Sequence, residues 1–419
     1  MKPEFQAEAP YQLADLIRYM LRLGTTGFGG PVALVGYMYR DLVEQRRWFT
    51  DAEYKEGLTL SQIAPGPLAA QLAIYLGFCH YGLLGASLAG IAFVIPSFLM
   101  VVALGWAYVR LGELSWLQAT FYGVGASIIG IIARSAQKLA LKTVGKDYLL
   151  WTIFAVLALN TVLTEYESIP LIVFAGVLVW AVRRVPVSAP ERPALRFRTR
   201  LPVLIPVLAT GAILLVHAFF PQATEGLTGH WDWTFGAGSR ESGGILWDIF
   251  WYFGAAGAFV FGSGLAIVPF LFGGVVKEFQ WLTDQQFLDA VAVALITPGP
   301  VVITTGFIGF LVAGLAGASV AAFATFFPCY LFTVIPAPLM RRYGTRPAIL
   351  AAVDGITAAT AGAIAGAVVV LGKRSIVDLS TAGIALLTYV VLAKTTKVPE
   401  PVLVILAGAL GLALHPLVS

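Results

Sequence analysis

A short proline- and glycine-rich motif occurs twice in this chain and is the stretch best suited to bind a ligand. Ile296-Thr-Pro-Gly-Pro300 repeats Ile63-Ala-Pro-Gly-Pro67, which lies 233 residues earlier, and both motifs lie inside apolar stretches. Proline lacks a backbone donor and clashes with the preceding helical turn, so Pro-Gly-Pro interrupts a helix. In hydrocarbon such a break is tolerated only where its free backbone groups face protein or a watery cavity. Two equivalent breaks predict a ligand site in a transporter; the alternative is a kink that only shapes packing.

The chemistry that these breaks offer is the binding of an anion by backbone amides. A helix that restarts after Pro-Gly-Pro has unpaired amides at the positive end of its dipole. In two inverted halves, two such helix starts would point at one anion near the middle of the membrane. Nearby amide and hydroxyl side chains could add hydrogen bonds. The expected substrate-binding residues of the two motifs are Pro65, Gly66, Pro67, Gln71, Thr297, Pro298, Gly299, Pro300, Thr304 and Thr305.

A second set of small residues interrupts the first apolar segment of each half. Glycine lets the backbone adopt left-handed angles and lets another chain or a ligand approach closely. Small residues are also the usual means of close helix packing in membranes, which is the alternative interpretation. The substrate-binding residues expected here are Gly27, Phe28, Gly29 and Gly30 in the first half and Gly262, Ser263 and Gly264 in the second.

A few ionisable residues are candidates for coupling or gating. Asp354 lies in an apolar helix pattern, where an acid often serves as a proton relay, although it could equally cap the start of that helix. Arg22 could attract anions or could extend to the lipid headgroups. Arg40 and Arg46 could form a cytoplasmic mouth for an anion, and the alternative is a solvated loop with acidic neighbours.

Composition identifies the protein as polytopic and membrane-embedded. The 419 residues are 58% hydrophobic and 12% charged, with a mean hydropathy of +0.82, whereas soluble domains are about 25% charged. The net charge of +4 comes from Lys and Arg in short loops that set membrane orientation, so no nucleic-acid partner is indicated. Cys79, Cys329 and four scattered histidines give no disulfide scaffold and no metal site. Residues 1–10 do not resemble a signal peptide.

The two halves are copies of each other. An offset of 233 aligns the breaks and the loops between them, and an offset of 232 continues the alignment to the end of the chain. The aligned pairs include Gly24 with Gly257, Trp48 with Trp281, Thr50-Asp51 with Thr283-Asp284, Pro96 with Pro328, and Gly123 with Gly355. A constant offset over this length indicates a duplication.

The expected fold is an all-α polytopic membrane protein with two inverted repeats, broken or re-entrant helices, and one extra transmembrane helix between the repeats. The first repeat covers 1–182 and the second covers 246–419. Residues 183–245 form a basic cytoplasmic linker, a single apolar segment at 201–220 and an external loop. That odd crossing inverts the second repeat.

Charge bias sets the orientation but leaves the number of spans open. The arginine-rich stretch 183–200 is cytoplasmic by the positive-inside rule, which places the N-terminus inside and the C-terminus outside. Thirteen segments could all cross the membrane. If the two broken segments of each repeat enter and leave on the same side, nine cross, and the loop 40–57 becomes cytoplasmic. The distribution of Lys and Arg favours nine.

Taken together, these motifs resemble the chromate ion transporters in their long, two-domain form. The resemblance rests on Phe28-Gly29-Gly30-Pro31, Trp48-Phe49-Thr50 and Pro65-Gly66-Pro67, with Phe261-Gly262-Ser263-Gly264, Trp281-Leu282-Thr283 and Pro298-Gly299-Pro300 in the second half. It implies a multi-pass protein of the prokaryotic inner membrane that exports chromate and confers chromate resistance. Sulfate is the close mimic of the substrate, and the membrane potential or the proton gradient drives export. The residues themselves indicate only a small anion.

The expected function is secondary active transport of an oxyanion by alternating access. An anion channel and an uptake carrier for sulfate or another oxyanion are the main alternatives, and a membrane-embedded enzyme is less consistent with scattered acids and histidines. The sequence has no G-x-x-x-x-G-K-[ST] motif, which argues against ATP hydrolysis within the chain. No cofactor is implied. The partners are chromate or sulfate and the lipid bilayer; a homodimer is the assembly considered.

Overall fold

Every secondary-structure element that the structure describes is a helix. The computed structural model describes the following residues: 10–28, 30–111, 115–165, 168–183, 244–258, 260, 264, 267–338, 347–395 and 398–418. No strand occurs among them. The extra apolar segment predicted at 201–220, and most of the linker around it, lie outside this part of the chain.

Seven α-helices occur in the described part of the first repeat. They are α1 (Leu13–Thr26), α2 (Gly30–Met38), α3 (Asp51–Ile63), α4 (Leu68–Leu111), α5 (Ser115–Val144), α6 (Tyr148–Thr164) and α7 (Ile169–Arg183). A π-helix, Tyr39–Gln45, continues α2.

The second repeat has the same series. Its helices are α8 (Ile245–Ala258), α9 (Ile267–Phe272), α10 (Asp284–Ile296), α11 (Thr304–Val334), α12 (Pro347–Ser375), α13 (Leu379–Lys394) and α14 (Glu400–Val418). The π-helix Gly273–Glu278 continues α9, and a single 3₁₀ turn, Val301–Ile303, precedes α11. The predicted duplication is therefore present in the backbone as well as in the residues.

Helices α3 and α10 begin at matching capping boxes. The Thr50 hydroxyl accepts the Glu53 amide at 3.2 Å, while the Glu53 carboxylate accepts the Thr50 amide at 2.8 Å. Thr283 and Gln286 form the same pair of bonds at 3.2 and 2.9 Å. Such a box satisfies two of the donors that a helix start leaves unpaired. The loop predicted at 40–57 is wrong in extent, because these bonds and the preceding π-helix leave only a short connection.

Two glycines divide the longest helices at equivalent places. Gly82 interrupts α4 with φ 58° and ψ −146°, and Gly314 interrupts α11 with φ 60° and ψ −150°. These angles belong to a region that is essentially restricted to glycine. Each long helix is therefore a short piece after Pro-Gly-Pro followed by a long span.

The described residues group into two compact units, and each unit combines both repeats. The first unit comprises 1–134, 234–344 and 372–419. In it, α1 packs along α4, α8 along α11, and α4 against α11. The second unit comprises 135–233 and 345–371, and its core contains buried side chains from α6, α7 and α12. The two sequence halves are thus not two separate compact bodies.

Several helices have the length and composition of membrane spans. Four apolar helices are long enough to cross a bilayer: Leu68–Leu111, Gln118–Val144, Val301–Val334 and Leu350–Ser375. Four shorter apolar helices accompany them: Tyr148–Thr164, Pro170–Arg183, Leu379–Lys394 and Glu400–Leu414. Helices α3 and α10 are in neither set.

The angles at Gly314 generate a stability prediction. A methyl group at Gly314 would meet no atom within 4 Å, so Gly314→Ala tests backbone strain alone. We expect it to lower the free energy of unfolding by about 1–3 kcal/mol, the cost of holding a residue with a Cβ in this region. Thermal unfolding of the purified protein in detergent measures the effect.

Gly383→Ala is the matched control. Gly383 lies within α13, and a Cβ there also meets open space, so alanine should be neutral or stabilising by up to about 1 kcal/mol. Equal melting temperatures for Gly314→Ala and the unmodified protein would refute strain at this break.

Candidate functional site

Both Pro-Gly-Pro motifs break the chain where the sequence predicts. Pro65, Gly66 and Pro67 separate α3 from α4, and the equivalent residues separate α10 from α11. Gly66 has φ 138° and Gly299 has φ 101°, values that side chains with a Cβ rarely adopt. The two flanking prolines remove donors, so the glycine amide is the main donor that each break must satisfy.

Each glycine amide is satisfied by the opposite repeat. The Gly66 amide donates to the carbonyl oxygen of Val260 at 2.6 Å, and the Gly299 amide donates to that of Gly27 at 3.0 Å. Val260 stands 233 residues after Gly27, just as Gly299 does after Gly66, so the two bonds are equivalent. Reciprocal contacts of this kind are what a two-fold relation between the repeats produces. The structure thus brings both pairs of breaks together in one compact unit.

Close helix contacts hold the accepting carbonyls in place. A Cβ on Gly24 would overlap the backbone carbonyl of Phe93 on α4, and one on Gly257 would overlap that of Thr325 on α11. Helix α1 therefore lies flush against α4, and α8 lies flush against α11. Small residues allow this approach. The carbonyls at Gly27 and Val260 come directly after these contacts.

One serine, which the sequence analysis did not select, reinforces the second break. Ser97, fully buried on α4, donates its hydroxyl to the Pro298 carbonyl at 2.7 Å. Its equivalent in the second repeat is Cys329, whose Cβ lies 3.3 Å from the place a Cβ on Gly66 would occupy. Sequence reasoning missed Ser97 because a serine in an apolar helix carries no local signal of a partner 201 residues away.

The predicted polar ligands lie at the breaks, but their hydrogen-bond donors point at the backbone. Gln71 is fully buried; its Nε2 donates to the Pro65 carbonyl at 2.7 Å and its Oε1 has no partner among the described residues. The hydroxyl of Thr297 donates to Ala294. Those of Thr304 and Thr305 donate to Val301 and Val302 at 2.7 and 3.1 Å.

The two helix starts after the breaks differ. Pro67 accepts the Gln71 amide at 3.0 Å, which leaves the three amides at 68–70 as the unpaired first amides of α4. Pro300 accepts the Ile303 amide at 3.0 Å, because α11 is preceded by a tighter 3₁₀ turn. The first start thus offers more free amides than the second.

Only part of the glycine-rich set lies within the described residues. Gly29, Gly262 and Ser263 do not. Gly30 has φ 73° and begins α2, while Phe28 is 40% exposed. Gly264 is buried, and a Cβ there would lie 3.2 Å from Val301 and 3.8 Å from Pro31. The structure therefore brings Gly264 next to the second Pro-Gly-Pro break and to the first segment of the other repeat.

The predicted arginines lie on the surface with local partners. Arg40 donates to Asp41 at 2.9 Å, and the Arg46 guanidinium stacks 4.7 Å from the Trp48 ring centre. Arg22 is exposed on α1. No contact of these side chains with either Pro-Gly-Pro motif occurs among the described residues.

Asp354 belongs to an ion-pair cluster in the second unit. Arg183 donates to Asp354 at 2.5 Å and to Asp147 at 2.7 Å. Burial raises the pKa of Asp147, but hydrogen bonds from Arg183 and from two amides of α6 outweigh it and hold that pKa below its usual range. Asp147 caps the start of α6, and Arg183 is the last residue of α7. The cluster therefore joins these two helix ends to Asp354, the acid that the sequence analysis selected.

Among the acids that the structure describes, a different one is the most buried. Asp289 on α10 is 3% exposed and accepts from Tyr108 at 2.6 Å and from Gln285 at 2.9 Å. The signal was present in the sequence, because Asp289 lies inside the second broken apolar segment. Among the described residues, no cluster of three His, Cys, Asp or Glu side chains could hold a metal ion.

Comparison with known proteins assigns the family. The sequence profile of the chromate transporter family matches residues 14–180 and, separately, residues 247–412. The chain belongs to the chromate transporter family. Each repeat thus matches the profile on its own, and together they account for most of the chromate transporter chain. With its apolar helices, this makes the protein a multi-pass membrane transport protein and not an enzyme.

Relatives of full length support the assignment. The chromate transport protein of Cupriavidus metallidurans is 58% identical over 407 residues, which cover 97% of this chain and 94% of that protein. A probable chromate transport protein of Synechococcus elongatus is 56% identical over 96% of this chain and 95% of its own. The chromate transport protein of Pseudomonas aeruginosa is 29% identical over 87% and 82%. No solved structure matches the chain.

Gly299→Ala tests the second break of this chromate transporter family member. The added Cβ would overlap the Ser97 hydroxyl, and the positive φ adds strain of about 1–3 kcal/mol. We expect transport to be lost while the protein still inserts into the membrane. Flux into vesicles, normalised to the amount of inserted protein, measures this.

Gly306→Ala is the control. Gly306 lies in α11 just after the same break, and a Cβ there would meet its nearest neighbour, Val101, at an ordinary 3.5 Å. Full transport by Gly299→Ala would remove this break from the site.

Proposed function

We propose that this chain is a secondary active transporter that exports chromate across the prokaryotic inner membrane by alternating access and so confers chromate resistance. The substrate comes from the relatives, two of which are named chromate transport proteins and one a probable chromate transport protein. The site comes from one observation, the reciprocal hydrogen bonds of Gly66 with Val260 and of Gly299 with Gly27. They bring two interrupted helices from each repeat together.

The chemistry of the breaks suits an oxyanion. Backbone amides at a helix start and the positive end of the helix dipole attract negative charge. The amides at 68–70 provide such a start after the first break, and Val301 and Val302 provide a shorter one after the second. Gly264 has no side chain, which lets its backbone approach Val301 of the second start closely. Chromate and sulfate are both tetrahedral dianions, so we expect sulfate to compete.

The threonines and Gln71 would support the backbone that binds the anion. Their donors are occupied by backbone carbonyls of the same breaks, so they hold the shape of the helix starts. A bound oxyanion could draw a hydroxyl of Thr304 or Thr305 away from its carbonyl at small cost, since one hydrogen bond replaces another. Asp354, Arg22, Arg40 and Arg46 remain candidates for gating, at a distance along the chain from the breaks.

Alternating access in this proposal uses the inverted repeat. The bonds between the repeats are equivalent, so exchanging the conformations of the two repeats exchanges the side on which the site opens. The divisions at Gly82 and Gly314 separate the short helix after each break from the long span that follows. We place the N-terminus in the cytoplasm and the C-terminus outside, with nine full spans.

Flux measurements in inside-out vesicles test the function. Radiolabelled chromate should accumulate inside energised vesicles against its concentration gradient, because export then runs inward. Sulfate in excess should reduce the rate, and an uncoupler should abolish accumulation. Gly66→Leu should be inserted but inactive, because a side chain at its positive φ would meet Gln71 and Cys329.

Three other results would replace this proposal. Flux that only equilibrates chromate would identify a channel. Energised accumulation in right-side-out vesicles, and not in inside-out ones, would identify an uptake carrier. Accumulation of sulfate without chromate would change the substrate.

Reporter fusions test the orientation. Arg47 and Gln280 are equivalent positions, each between a π-helix and the helix that leads into a break. In the nine-span arrangement the broken segments do not cross, so a fusion at Arg47 is cytoplasmic and one at Gln280, in the inverted repeat, is external. If all thirteen segments cross, each fusion reports the opposite side. A fusion after Lys394 and one in the linker 184–200 are the controls, because both positions are cytoplasmic in the nine-span and in the thirteen-span arrangement.

A further inference from the structure

The helix that leads into the second break carries a buried carboxylate that the proposed anion site does not use. Asp289 lies on α10, two turns before the end of that helix, and is 3% exposed. Tyr108 donates its phenol to one carboxylate oxygen at 2.6 Å, and Gln285 donates its amide to the other at 2.9 Å. Tyr108 belongs to α4, so the pair joins the two repeats.

No basic side chain neutralises Asp289 among the described residues. Charged groups on the elements around α10 have other neighbours. Of the basic groups, Arg374 pairs with Asp284, the Lys277 ammonium lies 6.0 Å from the Phe272 ring centre, and the Arg110 guanidinium lies 5.3 Å from the Trp106 ring centre. The acidic groups are Glu278, at the end of the π-helix before α10, and Glu400, at the start of α14. Helix α11 carries no charged residue.

An ionised carboxylate in such surroundings is costly, since neutral donors replace only part of its hydration. Proton uptake removes the charge and also changes the hydrogen bonding. The ionised group only accepts, whereas the protonated group donates from one oxygen. The bonds from Tyr108 and Gln285 fit the ionised form. Protonation makes one oxygen a donor and a poorer acceptor, which weakens the bond that this oxygen receives and favours a rearrangement.

The position of Tyr108 links this change to the break. Its ring packs edge-on against Phe307 at 5.7 Å between ring centres. Phe307 lies in the first turn of α11, directly after the break, whereas Asp289 lies in α10, before it. Tyr108 thus touches helices on both sides of Pro298-Gly299-Pro300. A change in the position of Tyr108 would therefore shift Phe307 and, with it, the helix start that is proposed to face the anion.

We infer that Asp289 is the proton-binding residue that couples movement of the oxyanion to the proton gradient, with Tyr108 as its positioning residue. The inference rests on the proposed function. In each cycle the carboxylate takes one proton from water on one side of the membrane and becomes neutral. It returns that proton to water on the other side and is ionised again, so the carboxylate ends each cycle in the protonation state in which it began.

The equivalent acid of the first repeat supplies a matched control. Glu56 occupies on α3 the position of Asp289 on α10, but its side chain is only partly buried. Solvent stabilises the charged form of such a group, so its protonation would not be tied to a rearrangement. Proton coupling therefore belongs to the second repeat alone.

The experiment uses the full chain reconstituted in liposomes, with the membrane potential held at zero by potassium and valinomycin. An imposed pH gradient should drive accumulation of radiolabelled chromate by the unmodified protein and by Glu56→Gln, and a lumenal pH dye should record the accompanying proton flux. Asp289→Asn should lose both gradient-driven accumulation and proton flux. It should retain exchange of labelled for unlabelled chromate at equal pH.

Gradient-driven accumulation with proton flux in Asp289→Asn would overturn the inference, as would its loss in Glu56→Gln. If Asp289→Asn does not fold, Tyr108→Phe decides: removal of a donor to the carboxylate should move the pH midpoint of transport towards alkaline pH, and an unchanged midpoint overturns the inference. An unmodified protein that exchanges chromate but ignores the pH gradient refutes proton coupling alone. One that moves no chromate refutes the proposed function instead.

Discussion

The structure depends on how a broken helix satisfies its backbone where water is scarce. A proline pair removes donors and leaves one glycine amide that needs an acceptor, and an unpaired amide in an apolar environment costs several kcal/mol. Here each repeat supplies the acceptor that the other lacks: Val260 for Gly66 and Gly27 for Gly299. A single repeat would leave its own break unsatisfied. The break in each repeat therefore needs a second copy of the repeat as its partner, and this explains why neither sequence half forms a compact body alone.

That requirement accounts for the glycines around the breaks. For Gly27 to present its carbonyl to Gly299, α1 must lie directly against α4, and Gly24 allows this because a Cβ would overlap the Phe93 carbonyl. Gly257 does the same for α8 against α11. The positive φ of Gly66 and Gly299 then turns each amide towards the opposite repeat. Close packing and an open backbone, which the sequence analysis treated as alternatives for these glycines, are two consequences of the same contact.

Local chemistry made part of this structure predictable. Proline fixes where a helix breaks, and a constant offset shows that the break recurs; the two breaks are confirmed on those grounds. The partners were not predictable, because the bond from Ser97 to Pro298 and the pairing of Gly299 with Gly27 depend on tertiary packing and leave no trace in neighbouring residues. Asp354 drew attention as an acid in an apolar helix, yet its partner Arg183 lies 171 residues away. Asp289 is likewise 181 residues from its partner Tyr108.

The two repeats form the same backbone contacts but carry different polar side chains, and this difference affects the mechanism. Symmetric backbone contacts can open towards either side at similar cost, which alternating access needs. Coupling to a driving ion also needs a group that binds that ion, and here the two repeats offer different polar groups. Ser97 faces the second break where Cys329 stands at the first, α11 starts with a 3₁₀ turn where α4 does not, and only the second repeat buries its acid. The buried carboxylate of Asp289, bonded to the opposite repeat through Tyr108, is the difference that bears on a proton. It assigns the proposed proton site to the second repeat, while the backbone contacts that open and close the anion site are shared by both.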